Sequence, residues 1–115
     1  MALTTDRLGG PQTLGTGSTD VYVHALSGAG DRTIIKQIVL TNYTSTARTV
    51  DLWMSPGGAS VADSHRIFKS LALAAYETTL LNLSLVMDTQ NDVLRATASA
   101  ATAINITVSG ITVDV

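Results

Sequence analysis

The sequence predicts an all-β protein: a single antiparallel β-sandwich of about seven strands, with immunoglobulin-like or jelly-roll connectivity and an extended N-terminal arm. Three observations predict it. Thr occurs 17 times and Ser 10 times in 115 residues, whereas Glu occurs once and Lys twice; Thr, Val and Ile suit a pleated, half-buried surface and lose rotamer freedom in a helix. From Val21 onward, apolar runs alternate with Gly-, Pro-, Asn- and Asp-bearing clusters at strand-and-turn spacing. Within those runs the apolar residues recur every second position, the period of a strand.

Residues 1–20 read as the arm and residues 21–115 as the sandwich domain. The arm has no period, because Gly9-Gly10-Pro11 and Gly15-Thr16-Gly17-Ser18 interrupt it, and Leu3, Leu8 and Leu14 are its apolar anchors. Either the segment is a frayed terminus, or it is an extended arm whose leucines are candidates for docking on a neighbouring subunit. Val21–Leu26 is a short strand closed by Ser27-Gly28-Ala29-Gly30-Asp31, and Thr33–Tyr43 is a long one rich in Ile and Val. Thr49–Ser55 alternates cleanly, with Val50, Leu52 and Met54 on one face and Asp51, Trp53 and Ser55 on the other. Pro56-Gly57-Gly58 ends it, since Pro cannot continue a ladder. The segment 62–87 contains good helix formers, but Leu71/Leu73 and Leu81/Leu83/Leu85 repeat every second residue, which favours two strands at 66–74 and 78–86. Val93–Ser99 follows the turn Asp88–Asp92. In the last strand, Ala103–Val115, the apolar set shifts at Ser109-Gly110 from Ile104, Ile106 and Val108 to Ile111, Val113 and Val115, which predicts a β-bulge there.

The strand from Ile34 to Asn42 is apolar on both faces: Ile34, Ile38 and Leu40 oppose Ile35 and Val39. A sheet with one free face shows polar residues there. Either the strand carries a bulge, or the arm or another subunit covers its second face; covering is the favoured expectation, which makes Ile35 and Val39 candidate interface residues. Trp53, on the polar face of its strand, is expected either in an interface, under the protein's own arm, or as a platform for a sugar.

Composition narrows the function classes. A formal charge of −2 with 14% charged residues lacks the concentrated basic face of a nucleic-acid binder. No apolar run approaches the length of a membrane span, and the N-terminus has no apolar segment of a secretion signal. With no Cys, disulfides and thiolate metal sites are excluded within these residues. No metal or cofactor is expected: His24 and His65 lie in different segments, and Asp63-Ser64-His65 lacks the further ligands a metal requires. Nor is there a Gly-x-Ser-x-Gly elbow, a pair of acids across a cleft around Glu77, Asp88 or Asp92, or a glycine loop leading into a helix. The sequence gives no support to catalysis. The three Asn-x-Ser/Thr matches, at Asn42, Asn82 and Asn105, are of the kind that a chain this rich in Ser and Thr produces by chance.

The order of landmarks is more specific: Arg7-Leu8-Gly9, Val21-Tyr22-Val23, the run Thr33–Asn42, Ala47-Arg48-Thr49-Val50, Pro56-Gly57-Gly58, Leu73–Thr78, Asn91–Ala96 and the closing Ile104–Gly110. Over nearly its whole length the chain resembles a family of small β-sandwich virion proteins of tailed bacteriophages. The resemblance rests on spacing and turn residues. It implies a structural protein of the particle, made in the host cytoplasm, most simply a capsid decoration (cement) protein contacting the major capsid protein or other virion proteins and assembling with its own copies, a trimer being favoured. A tail, baseplate or fibre module, or a carbohydrate-binding module using Trp53, is the alternative. The resemblance carries over no catalytic, cofactor or metal-binding residue.

Overall fold

The computed structural model describes residues 2–25 and 30–114. They form eight strands: β1 (Ala2–Thr13), β2 (Thr19–Val23), β3 (Arg32–Asn42), β4 (Arg48–Ser55), β5 (Arg66–Leu73), β6 (Thr78–Met87), β7 (Val93–Ala98) and β8 (Ile104–Asp114). Helical structure among the described residues is confined to single 3₁₀ turns at Pro56–Gly58 and Asp63–His65, so none of it is long and apolar enough to cross a membrane. The ambiguous segment 62–87 is two strands, as its period-2 leucines predict.

The strands form two antiparallel four-stranded sheets, β1-β8-β3-β6 (sheet A) and β2-β7-β4-β5 (sheet B). β1 pairs with β8, β2 with β7, β3 with β6 and β4 with β5. This is one long antiparallel ribbon, with its tip at the β4–β5 connection, rolled until β3 meets β8 and β4 meets β7. The sandwich is therefore of the jelly-roll kind, a choice hydrophobic alternation left open.

Three expectations change. First, residues 2–13, expected within an arm, are the edge strand of sheet A, and Thr19 already belongs to β2; this brings the count to eight strands. The missing period arises because β1 slips register against β8 twice, between Arg7 and Gly9 and between Gly9 and Gln12. An edge position tolerates Pro11 and both irregularities. Gly10, at φ +82, lies where a Cβ would stand 2.2 Å from the Ile106 carbonyl oxygen. Second, β3 departs from plain alternation at Lys36: its register shifts between Ile35 and Gln37 against both neighbours, with the extra residue on β3 where it meets β8 and on β6 where β6 meets β3. The slip brings Ile35, Ile38 and Leu40 into the core and leaves Ile34 and Val39 half-buried on the other face. Third, β8 carries no extra residue of its own. Opposite Ser109, the extra residues are Leu8 of β1 and Lys36 of β3. Gly110 is required instead by close approach, since a Cβ there would lie 2.1 Å from the Ile34 carbonyl oxygen.

The core lies between the sheets and includes Ile35, Ile38, Leu40, Val50, Leu52, Leu73, Met87, Leu94, Ile104, Ile106 and Val108. Fully burying each such side chain contributes about 1.5–3 kcal/mol. Buried polar side chains hold the turns. Asn42 donates through Nδ2 to the carbonyls of Thr46 (2.8 Å) and Ala74 (3.1 Å), and its Oδ1 accepts from the Thr44 amide and hydroxyl. The Asp92 carboxylate accepts from the amides of Gly57, Asp88 and Thr89, tying the β6–β7 turn to the end of β4. The expected strand end at Leu26 and the turn residues 27–29 lie outside the described residues, as does Val115.

Candidate functional site

In an antiparallel sheet, directly opposed residues project to the same side, so the registers of sheet A define the rows of its outer face. Leu3, Val113 and Arg32 form the first row, and Thr5, Ile111, Ile34 and Val86 the second. Arg7, Ser109, Gln37 and Asn82 follow, then Thr107, Val39 and Leu80, and finally Thr13, Asn105, Thr41 and Thr78. The polar rows are tied across strands by hydrogen bonds from Gln37 Nε2 to Asn82 Oδ1 (3.3 Å), between the hydroxyls of Thr41 and Thr78 (3.2 Å), and from Thr13 Oγ1 to Asn105 Oδ1 (2.8 Å). The second and fourth rows are apolar bands ending on β6. Leu3, Leu80 and Val86 are 67%, 57% and 46% exposed, so this face offers water a set of large apolar side chains that no described residue covers.

The residues singled out from sequence divide accordingly. Leu3 and Val39 lie on this outer face. Leu8 packs against the core, and Leu14 and Ile35, at 1% and 0% exposure, are part of it, so neither has surface to give a partner. Leu80, Val86, Ile34 and Ile111 were not anticipated as surface residues. Their signal is the adjacent apolar pairs Leu80-Leu81 and Val86-Met87, which place one member on each side of β6.

Trp53 is outward-facing, as alternation predicts, because it stands outside the core cluster that holds Val50 and Leu52. It is nevertheless only 5% exposed. The β4–β5 connection folds back against β4, and the Arg66 guanidinium carbon lies 4.9 Å from the ring centroid, a cation–π arrangement. The cover is thus the protein's own, with Arg66, the cross-strand partner of Trp53 on β5, over the ring, and it leaves no ring face for a sugar. Trp53 Nε1 has no hydrogen-bond partner under it.

The candidate acids and His24 serve the scaffold. Asp63 pairs with Arg66 at 3.0 Å rather than with His65. Glu77 Oε1 accepts from the Ala74 amide within its turn. His24, 2% exposed, places Nδ1 2.8 Å from the Thr33 hydroxyl, which the Tyr22 hydroxyl also reaches at 2.9 Å. Among the described residues no group of three His, Cys, Asp or Glu is placed to hold a metal. A shallow open hollow of about 290 Å³ is lined by Asp20, Val23, Gly57, Gly58, Asn91 and Arg95, among others. Arg95 spans its wall, donating to Asp20 (2.8 Å), to the Ser55 hydroxyl (3.2 Å) and to the Ala59 carbonyl (2.6 Å). Its cationic head is committed to the protein itself.

No protein-family model matches the chain, and no curated protein does. Solved structures do share the fold. A chain of the Bacillus endospore appendages, described as a family of disulfide-linked pili, superposes with a TM-score of 0.60 at 14% identity, covering 98% of this chain and 88% of that one. A chain of infectious bursal disease virus, Gx strain, superposes with a TM-score of 0.54 at 10% identity. There the match covers 97% of this chain and 33% of the viral one, so the present chain spans about a third of its length.

Proposed function

We propose that this protein is a structural subunit of a multi-copy protein shell or filament, and in its most specific form a virion protein that decorates and stiffens a bacteriophage capsid. The observation that carries the reading is the outer face of sheet A, where two apolar bands and Leu3 are exposed on a rigid, hydrogen-bonded sheet. Such a surface suits permanent contact with neighbouring protein. The likeness in fold to a pilus protein and to a viral protein supports the reading, as does the sequence's resemblance to small virion proteins of tailed phages. Most of the described acids, and His24 through Nδ1, are engaged in holding turns and strands, and the proposed role needs no chemistry from them.

Low charge fits the same role, because contacts that are apolar and hydrogen-bonded hold at any ionic strength, whereas steered contacts weaken in salt. Unlike the disulfide-linked pilus chain, these 115 residues contain no Cys, so no joint they make is a disulfide.

The test is quantitative mass spectrometry and electron microscopy of particles purified from cells that express the protein. The expected result is a copy number comparable with that of the shell protein, with density on the head. A few copies confined to the tail would move the protein to a tail or baseplate role; absence from purified particles would overturn the virion reading.

A further inference from the structure

Every open sheet has edges, and an edge strand presents unpaired N–H and C=O groups that another chain can use. Natural proteins guard such edges with charge, Pro, bulges or shortness. Three of the four edges here are guarded. β1 carries Asp6, Arg7 and Pro11 and slips register twice. β2 is five residues long, includes Asp20, and is irregular between Asp20 and Tyr22. β5 carries Arg66 and Lys69 and is broken by Ser70 at φ 52. β6 is different. Its ten residues, Thr78–Met87, contain no charge, no Pro and no Gly; its one irregularity, an extra residue between Asn82 and Leu85 opposite Lys36 of β3, leaves the alternation of exposed and inward positions unbroken up to the buried Met87. The nearest charge on β3, Lys36, donates its amine to Ser84 Oγ at 2.7 Å.

We infer that β6 is the pairing edge for a second copy of this chain, joining two sheets A into one continuous eight-stranded sheet across a two-fold axis at Leu83. The occupant follows from the strand's own pattern. A two-fold axis perpendicular to the sheet keeps outer residues beside outer residues. With Leu83 on the axis, Leu80 faces Val86 of the partner subunit and Asn82 faces Ser84 of the partner subunit, so apolar meets apolar and polar meets polar. Centring the axis on Asn82 sets Leu80 against a Ser, and centring it on Ser84 sets Asn82 against a Val. The Leu83 register alone pairs the two exposed apolar residues of β6.

Two further features agree with it. On the inner side, Leu81, Leu83 and Leu85 pack against the core yet are only partly buried, because β6 has no neighbour beyond it; the same register sets Leu81 against Leu85 of the partner subunit and closes that rim. On the outer side, the band Ile111–Ile34–Val86 of one subunit becomes continuous with the band Leu80–Val39–Thr107 of the other. The pairing concerns the isolated chain and holds whether or not the protein belongs to a virion.

The experiment is sedimentation of the purified chain over a wide concentration range, with circular dichroism to confirm that each variant is folded. The wild-type chain is expected at twice its 12.0 kDa mass. Leu80→Lys and Val86→Glu alter exposed side chains, so each should remain folded while weakening the dimer about a hundredfold, since each loses two symmetry-related apolar contacts. Combining both substitutions in one chain sets Lys against Glu twice across the axis and should restore the dimer. A wild-type monomer at all concentrations, a dimer indifferent to both single changes, open-ended polymers in place of a dimer, or a double variant no better than the singles would each overturn the proposal.

Discussion

Trp53 shows how a single side chain can satisfy its pattern and still not be available. Alternation sends it outward from the core, where it is buried all the same, with Arg66 of β5 over the ring. Two consequences follow for substitution. Trp53→Ala leaves a buried void and should cost about 3–5 kcal/mol, read from chemical denaturation. Trp53→Phe should cost much less than its lost volume suggests, because it also removes an indole N–H that has no partner. As the one Trp in the chain, its fluorescence should be poorly quenched by an aqueous quencher in the native protein and strongly quenched once unfolded. The position of Trp53 on its strand was legible in the sequence; its burial was not, because the cover depends on Arg66 standing opposite it, which the register of β4 against β5 decides. Asn42 is a parallel case. As a sequon residue it suggests a surface site, yet it is fully buried with both ends of its amide spent on backbone and Thr44.

At the scale of the strand, seven of the eight elements were legible from period and turn chemistry, since a half-buried strand must alternate wherever it is regular. Where regularity fails, sequence alone assigns the irregularity to the wrong chain. The slip near Ser109-Gly110 is real, but the inserted residues are Leu8 and Lys36 in the strands on either side. A single sequence records only that the apolar phase of one strand changes; which member of a pair holds the extra residue is a property of the pair. Gly110 itself is fixed by the approach of β3. Gly110→Ala would place a Cβ 2.1 Å from the Ile34 carbonyl oxygen and force the two central strands of sheet A apart. The expected loss is about 2 kcal/mol or more, measurable as a lowered midpoint of thermal unfolding. β1 escaped recognition for a related reason: its two slips and Pro11 erase the period, and an edge strand is where such features are tolerated.

For the whole molecule, the governing fact is that residues at the two ends of the chain are partners: Ala2 opposes Asp114, and the pairing continues inward through every strand to β4 and β5. Such non-local pairing makes folding slow compared with helical proteins of this size, on the order of milliseconds to seconds. It also makes the first thirteen residues integral. Deleting residues 1–13 should strip sheet A of β1, expose β8 as a new edge, and remove most of a stability that is about 5–15 kcal/mol for an ordinary domain. The check is the thermal transition followed by circular dichroism; an unchanged transition would mean that the segment is a dispensable arm after all.

From its residues alone the chain determined that it would be all-β, where most strands begin and end, and which residues of each alternate inward, because the two-residue period of a strand and the turn preferences of Gly, Pro, Asn and Asp are local properties. Only the tertiary structure decided that the sandwich is a jelly roll, that the first strand is an edge of sheet A, that Trp53 lies under Arg66 of β5, and that Leu3, Leu80 and Val86 share one open face. Those outcomes depend on which strand lies beside which, and neighbours in a sheet are chosen by pairing between residues as far apart as the two ends of the chain.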